Sequence, residues 1–262
     1  MFWILKKVMF DTHSHLFDKK ILPQLDIILQ QINSLNFLGV ICICENEKDI
    51  EYFLKYYLKY NFLYCSIGIH PHNAKNFNEK NFLYMFETLK KTQRLVAIGE
   101  TGLDFYYNFS DKETQLRCFY FQLKFAKSQN LPVIIHSRNS KLITYNILKE
   151  ENITKGIIHC FSEDTEYAKK FVELGFLLGI TGIITFEKST SLKETLKSIS
   201  ISDIVVETDS PYLTPHPYRG RPNNPLYLKY ILQEIEKIKG SSFDEIEKIT
   251  DRNALRVFNL IQ

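Results

Sequence analysis

The sequence predicts an α/β protein of a single domain, a (β/α)8 TIM barrel. Two observations carry this reading. The chain has 262 residues, and one such barrel takes ~250 residues. Short apolar runs also alternate with longer amphipathic segments from end to end. The runs cover residues 8–13, 39–44, 63–70, 95–100, 132–136, 156–159, 176–180 and 204–209. Most are apolar throughout, as in parallel strands covered on both faces. An open doubly wound sheet is disfavoured, because no glycine-rich nucleotide loop follows any run.

The intervening segments have helical periods. Within 110–130, Leu116, Phe119, Tyr120, Leu123 and Ala126 recur at spacings of three and four. Residues 165–174, 192–198 and 224–239 read similarly. The last segment, 241–259, opens with Ser-Ser-Phe-Asp-Glu, a capping pattern, and closes the barrel. The barrel is expected over 9–262, with residues 1–8 as a short, dispensable N-terminal extension.

Composition is ordinary for a globular chain, at 45% hydrophobic and 24% charged residues. The net charge of +3 is too weak to mark the whole surface as a polyanion binder, so any nucleic-acid contact must come from local charge. The five cysteines are odd in number and irregular in spacing, which reads as reduced thiols and a cytoplasmic setting. Cys42 and Cys44 sit in an apolar run and read as strand core. No stretch approaches the ~18 apolar residues of a membrane helix.

The chemistry lies at strand ends. Of seven histidines, His13, His15, His70, His72, His136 and His159 fall at or just beyond the C-terminal end of a predicted strand. His216 follows the eighth. In a barrel those ends converge on the face where active sites are built. Glu100 and Asp209 join them, giving the mixed N/O donor set of a metal site. His13 and His15 flank Ser14 on an extended segment, so both can point at one ion. Glu100 lies between glycines, and suits a carboxylate bridging two ions. His136 and His159 follow adjacent strands at one height and favour a second metal. Asp209 is placed to ligate or to accept a proton from an activated water. Glu207 shares its face and can orient a ligand or pair with an arginine.

Together these segments resemble the TatD family of metal-dependent deoxyribonucleases, among the amidohydrolase-like barrels. The likeness runs from Met9 through Gly68-Ile69-His70-Pro71-His72, the Gly99–Asp104 stretch, His136, His159, Glu207-Thr208-Asp209-Ser210-Pro211 and Tyr218-Arg219-Gly220-Arg221. The resemblance implies two divalent ions, Mg, Mn or Zn. His13 and His15 would hold one and His136 and His159 the other. Glu100 would bridge them and Asp209 would join the first. His70 or His72 would face the substrate phosphate. Two positions depart from the family pattern: Asn224 stands where a Glu is usual, and Glu163 where a Gly is usual.

Asp209, Glu100 and His72 are the expected catalytic groups. His70, Arg138, Arg219 and Glu207 are expected to contact substrate, with Lys141 and Arg221 also in loops on the active face. Phe105, Tyr106 and Tyr107 could stack on bases. The expected reaction is metal-dependent cleavage of DNA phosphodiesters, as an exonuclease on single strands or frayed ends, by a monomer. The alternative is a small-molecule ester or amide hydrolase on the same barrel.

Overall fold

The computed structural model describes residues 8–107 and 109–260. Of the expected extension, all but Val8 lies outside the described residues. Val8 itself opens the first strand.

Eight parallel strands form one sheet in sequence order. They are β1 (Val8–Ser14), β2 (Phe37–Cys44), β3 (Leu63–Ile67), β4 (Leu95–Asp104), β5 (Val133–Arg138), β6 (Gly156–Ile158), β7 (Phe176–Ile180) and β8 (Ile204–Val206). The helices between them are α1 (Leu25–Ser34), α2 (Glu47–Tyr56), α3 (Glu79–Lys90), α4 (Lys112–Gln129), α5 (Lys141–Glu150), α6 (Thr165–Glu173) and α7 (Thr190–Ser198). Two more, α8 (Leu228–Lys239) and α9 (Phe243–Val257), follow β8. A parallel bridge between Ser14 and Ser210 brings the last strand end back to the first. The architecture is the (β/α)8 TIM barrel.

Strand alternation sorts the core into two layers. In β2, Ile41 and Ile43 join an inner cluster with Phe10, Val96, Ala97, Ile134, Ile157, Leu177 and Val205. Val40, Cys42 and Cys44 join the layer between sheet and helices. The two cysteines are therefore core, as their run predicts. The Phe10 ring passes over Gly39, where a Cβ would stand 2.3 Å from it. From α9, Ala254, Val257 and the following Phe258 plug the bottom of the inner cluster. The Asp251 carboxylate of α9 accepts from the Met9 and Phe10 amides.

Helix ends follow their sequence signals. The Ser242 hydroxyl caps α9 by accepting from Glu245 N, and Asp111 caps α4 through Thr114 N. The expected helix over 224–239 opens as a 3-10 turn, Pro225–Tyr227, before α8 begins. Asn224 caps that turn, accepting from Leu226 N at 3.0 Å.

Strand limits differ from expectation in two ways. β3, β6 and β8 stop short of His70, His159 and Asp209, so those residues lie in the loops just beyond. β4 instead runs past Glu100 to Asp104, pairing Asp104 with Arg138 after a register shift. Gly102 permits this: its φ is +146°, and a Cβ there would lie 2.0 Å from the His136 carbonyl oxygen.

Phe10→Ala should empty the centre of the inner cluster. A loss of roughly 3–5 kcal/mol is expected, read as a lower urea midpoint with an unchanged slope.

Candidate metal centre

The strand ends bring His13, His15, His70, Glu100, His136, His159 and Asp209 to one mouth. All but His13 line a cleft of 820 Å³; His13 is fully buried against Glu100. Glu100 stands at the centre and is only 3% exposed. Its two oxygens face different partners. Oε2 is 3.2 Å from His13 Nε2 and 3.7 Å from His15 Nε2. Oε1 is 2.8 Å from His136 Nδ1, 3.6 Å from His70 Nε2 and 3.9 Å from His159 Nε2. Asp209 Oδ1 is 3.6 Å from His15 Nε2 and 3.8 Å from His159 Nε2.

This donor set fits divalent cations. His13 Nε2 and His15 Nε2 approach to 3.2 Å among carboxylate oxygens, a convergence of lone pairs that a cation satisfies. His13, His15 and Asp209 offer ligand atoms all within 4.8 Å of one another, and so do His70, Glu100 and His136.

The local charges pull against one another. Burial alone would raise the Glu100 carboxyl, but His70, His159 and His13 outweigh it and hold the group well below its ordinary value. Burial pushes Asp209 up to about 7, with Glu100 and Glu207 adding to the shift. Burial and the neighbouring His13 push His15 down to about 3. Burial also opposes charge on His159, but Glu207 and Glu100 overcome it and draw the imidazole up to about 10. A buried carboxyl raised by neighbouring carboxylates, as Asp209 is, is an environment that a cation relieves.

Buried acids fix the rings from behind. Glu207 Oε1 lies 2.8 Å from His159 Nδ1 and accepts from Cys160 N at 2.7 Å, while Oε2 accepts from the Thr12 hydroxyl at 3.1 Å. Asp104 Oδ2 takes His136 Nε2 at 3.2 Å and His72 Nε2 at 2.8 Å. Asp11 accepts from the Thr208 amide and hydroxyl and from His13 N. Such carboxylate–histidine pairs set ring orientation at metal sites.

The residues expected to touch substrate separate. Arg138 is exposed and lines the cleft, and so does His72. Arg219 packs its guanidinium 3.9 Å above Phe186 and donates to Thr214 O, away from the cleft lining. Lys141 is paired with Glu163 and Asp164, which gives the unusual Glu163 a partner. Arg221 lies against Tyr218. Glu207 requires a correction. It is fully buried with its oxygens occupied, so it cannot reach substrate, and its partner is a histidine rather than an arginine. His70 stands with Glu100 and His136 as well as on the cleft wall. His216 lies elsewhere, near Phe186.

Several residues of the site had no role in the sequence reading, Asp104 and Glu45 among them. Asp104 lies four residues beyond Glu100 on one strand, hence on the same face, which was its available signal. Glu45 follows β2 and lines the mouth. Burial, with Glu100 and Asp49 nearby, raises its carboxyl to about 8. Its only signal was its place at a strand end.

Comparison with known proteins agrees with this geometry. The model of the family described as TatD related DNase matches residues 10–259. The uncharacterized metal-dependent hydrolase YabD of Bacillus subtilis is 35% identical, over 97% of this chain and 100% of that protein. A protein of Erwinia tasmaniensis named 3'-5' ssDNA/RNA exonuclease TatD is 30% identical, over 96% of this chain and 100% of its own length. The crystal structure of the TatD homologue YJJV from Escherichia coli superposes with a TM-score of 0.88 at 26% identity, covering 96% of this chain and 98% of that one. The chain belongs to the TatD related DNase family and is a metal-dependent hydrolase acting on ester bonds.

Proposed function

We propose that the enzyme cleaves DNA phosphodiesters at single-stranded or frayed ends through a two-metal centre. The observation that carries this reading is Glu100, whose two carboxylate oxygens face two separate sets of imidazoles. His13, His15 and Asp209 would hold one ion. His136 and His159 would hold the other, with His70 beside them, and Glu100 would contribute to both. Divalent ions in those positions supply Lewis acidity, a water of lowered pKa and positive charge against the phosphoryl oxygens.

The chain's own groups position and move protons. Asp209, at 13% side-chain exposure against 3% for Glu100, has the more open face and takes the proton of the attacking water. Asp104 fixes the His72 ring through Nε2, leaving Nδ1 to meet a phosphate oxygen. Arg138 adds a cation at the rim. The name of the Erwinia relative supports action on single strands from an end. Among the described residues no helix is long and apolar enough to cross a membrane. The five free cysteines suit a reducing, cytoplasmic setting. The same centre could serve a small ester, so the assay must separate the two substrates.

Single-stranded DNA oligomers labelled at the 3′ or 5′ end should ladder with Mg, Mn or Zn and stay intact with chelator. Matched RNA shows whether a 2′-hydroxyl is tolerated. Glu100→Ala and Asp209→Ala should each lower turnover by a factor on the order of 100 to 1000 or more. Full activity in either variant sinks the mechanism. Intact oligomers with a folded, metal-loaded enzyme, beside turnover of small esters, move the substrate to the alternative.

Glu207→Gln removes the charge that orients His159. Metal affinity should fall by roughly 10- to 100-fold, measured by competition with a chromophoric chelator. Unchanged affinity would assign Glu207 to fold stability alone.

A further inference from the structure

The loop that leaves β4 stands over the cleft with an exposed aromatic array. Tyr106, Tyr107 and Phe109 are 57%, 40% and 55% exposed. The Tyr107 and Phe109 rings are near parallel, 17° apart, with centroids 5.5 Å apart. Tyr106 meets Tyr107 edge-on at 4.8 Å. The His72 ring lies edge-on to Phe109 at 4.8 Å and to Tyr107 at 5.6 Å. The Arg138 guanidinium sits 4.2 Å from the Tyr106 centroid and 4.7 Å from that of Tyr107. The array thus runs continuously from the site outward.

Its base is held firmly. Asp104 Oδ1 accepts from the Tyr106 and Tyr107 amides at 3.0 and 2.9 Å, and Phe105 N donates to Arg138 O at 2.9 Å. The carboxylate that orients His72 and His136 also sets these rings. Clustered exposed aromatics lose free energy to water unless something covers them, and the cleft beside them says what does. The wall formed by the segments after β1 and β2 carries the carboxylates of Asp18 and Asp49, and among the described residues no lysine or arginine forms an ion pair with either. A phosphate chain is repelled from that wall and held on the side of Arg138, where its bases meet ring faces. Every base has a π-face, so stacking accepts any sequence, whereas bases inside a duplex offer only their edges.

We infer that Tyr107 and Phe109, backed by Tyr106 and Arg138, form a stacking platform for the unpaired nucleobases of the strand being cleaved. This rests on the phosphodiesterase reading above. The platform makes single-strandedness a property of binding rather than of the chemistry.

The test compares a single-stranded DNA oligomer with a base-free chain of tetrahydrofuran phosphodiesters of equal length and charge, using the metal-loaded full-length enzyme. The wild type should show a KM lower by roughly tenfold or more for the base-bearing chain. That ratio should collapse towards one in Phe109→Ala and Tyr107→Ala, and return in Phe109→Trp. A merely structural defect lowers turnover of both chains and leaves the ratio intact, which overturns the platform. Equal KM values for both chains in the wild type overturn it as well. If the wild type cleaves neither chain, the phosphodiesterase reading itself fails and the platform falls with it.

Discussion

The structure is organised around a charge that cannot be left alone. Glu100 is a carboxylate in a place where water barely reaches, and an unpaired charge there costs several kcal/mol. The chain meets that cost with imidazoles delivered from other strand ends. Only a closed barrel brings the ends of β1, β5 and β6 around a side chain of β4, so fold and site are one constraint. The same closeness makes the donors repel. His13 and His15 present nitrogen to nitrogen, and Glu100 and Glu207 add to the cost of ionising Asp209. A centre of this kind is built for cations rather than for its own ease.

The seam between β8 and β1 shows the same economy. Among the described residues strand pairing there is a single bridge, and individual backbone and side-chain hydrogen bonds complete the closure. Asp209 N donates to His13 O and His15 N to Ser210 O. Asp11 ties β1 to Thr208, and the Thr12 hydroxyl reaches Val206 O and Glu207. Ser14 and Ser210 share a hydroxyl contact at 2.6 Å. The backbone that presents His13, His15 and Asp209 is therefore the backbone that shuts the barrel. Buried networks of this kind are costly when half satisfied, so ligand geometry and barrel closure stand or fall together. Gly179 belongs to the arrangement: a Cβ there would lie 2.3 Å from Glu207 Oε1, so the acid behind His159 needs that absence.

The barrel was legible because burial on both faces leaves continuous apolar runs, and the site because histidine at the end of such a run has few structural reasons to recur. Legibility failed where local composition and tertiary context disagree. Thr101, Gly102 and Asp104 read as loop, yet β5 pairs with them and extends β4. This hid Asp104, the carboxylate that links His72, His136 and the aromatic loop. Glu45 lies just past the apolar run of β2, and only the barrel turns it toward the cleft. Glu207 and Asp209 share a face, but which of them meets the cleft depends on what covers them. Arg219 looked like a phosphate ligand because it is basic and near the motif, whereas its guanidinium is taken up by Phe186.

The net charge of +3 says little about substrate because the sign that matters is local. The cleft holds Asp18, Glu45, Asp49, Glu100 and Asp209 against one exposed arginine, Arg138. Beside Asp18 and Asp49 a phosphate meets negative charge, and low-dielectric walls sharpen the repulsion. Cations at the centre would add positive charge beside Glu100 and leave that wall acidic. On the phosphodiesterase reading proposed above, the metal centre would thus serve binding as well as chemistry, since loading it makes the pocket more complementary to an anion. For a nucleic-acid substrate the acidic wall would favour the aromatic side, where the proposed platform offers stacking rather than charge.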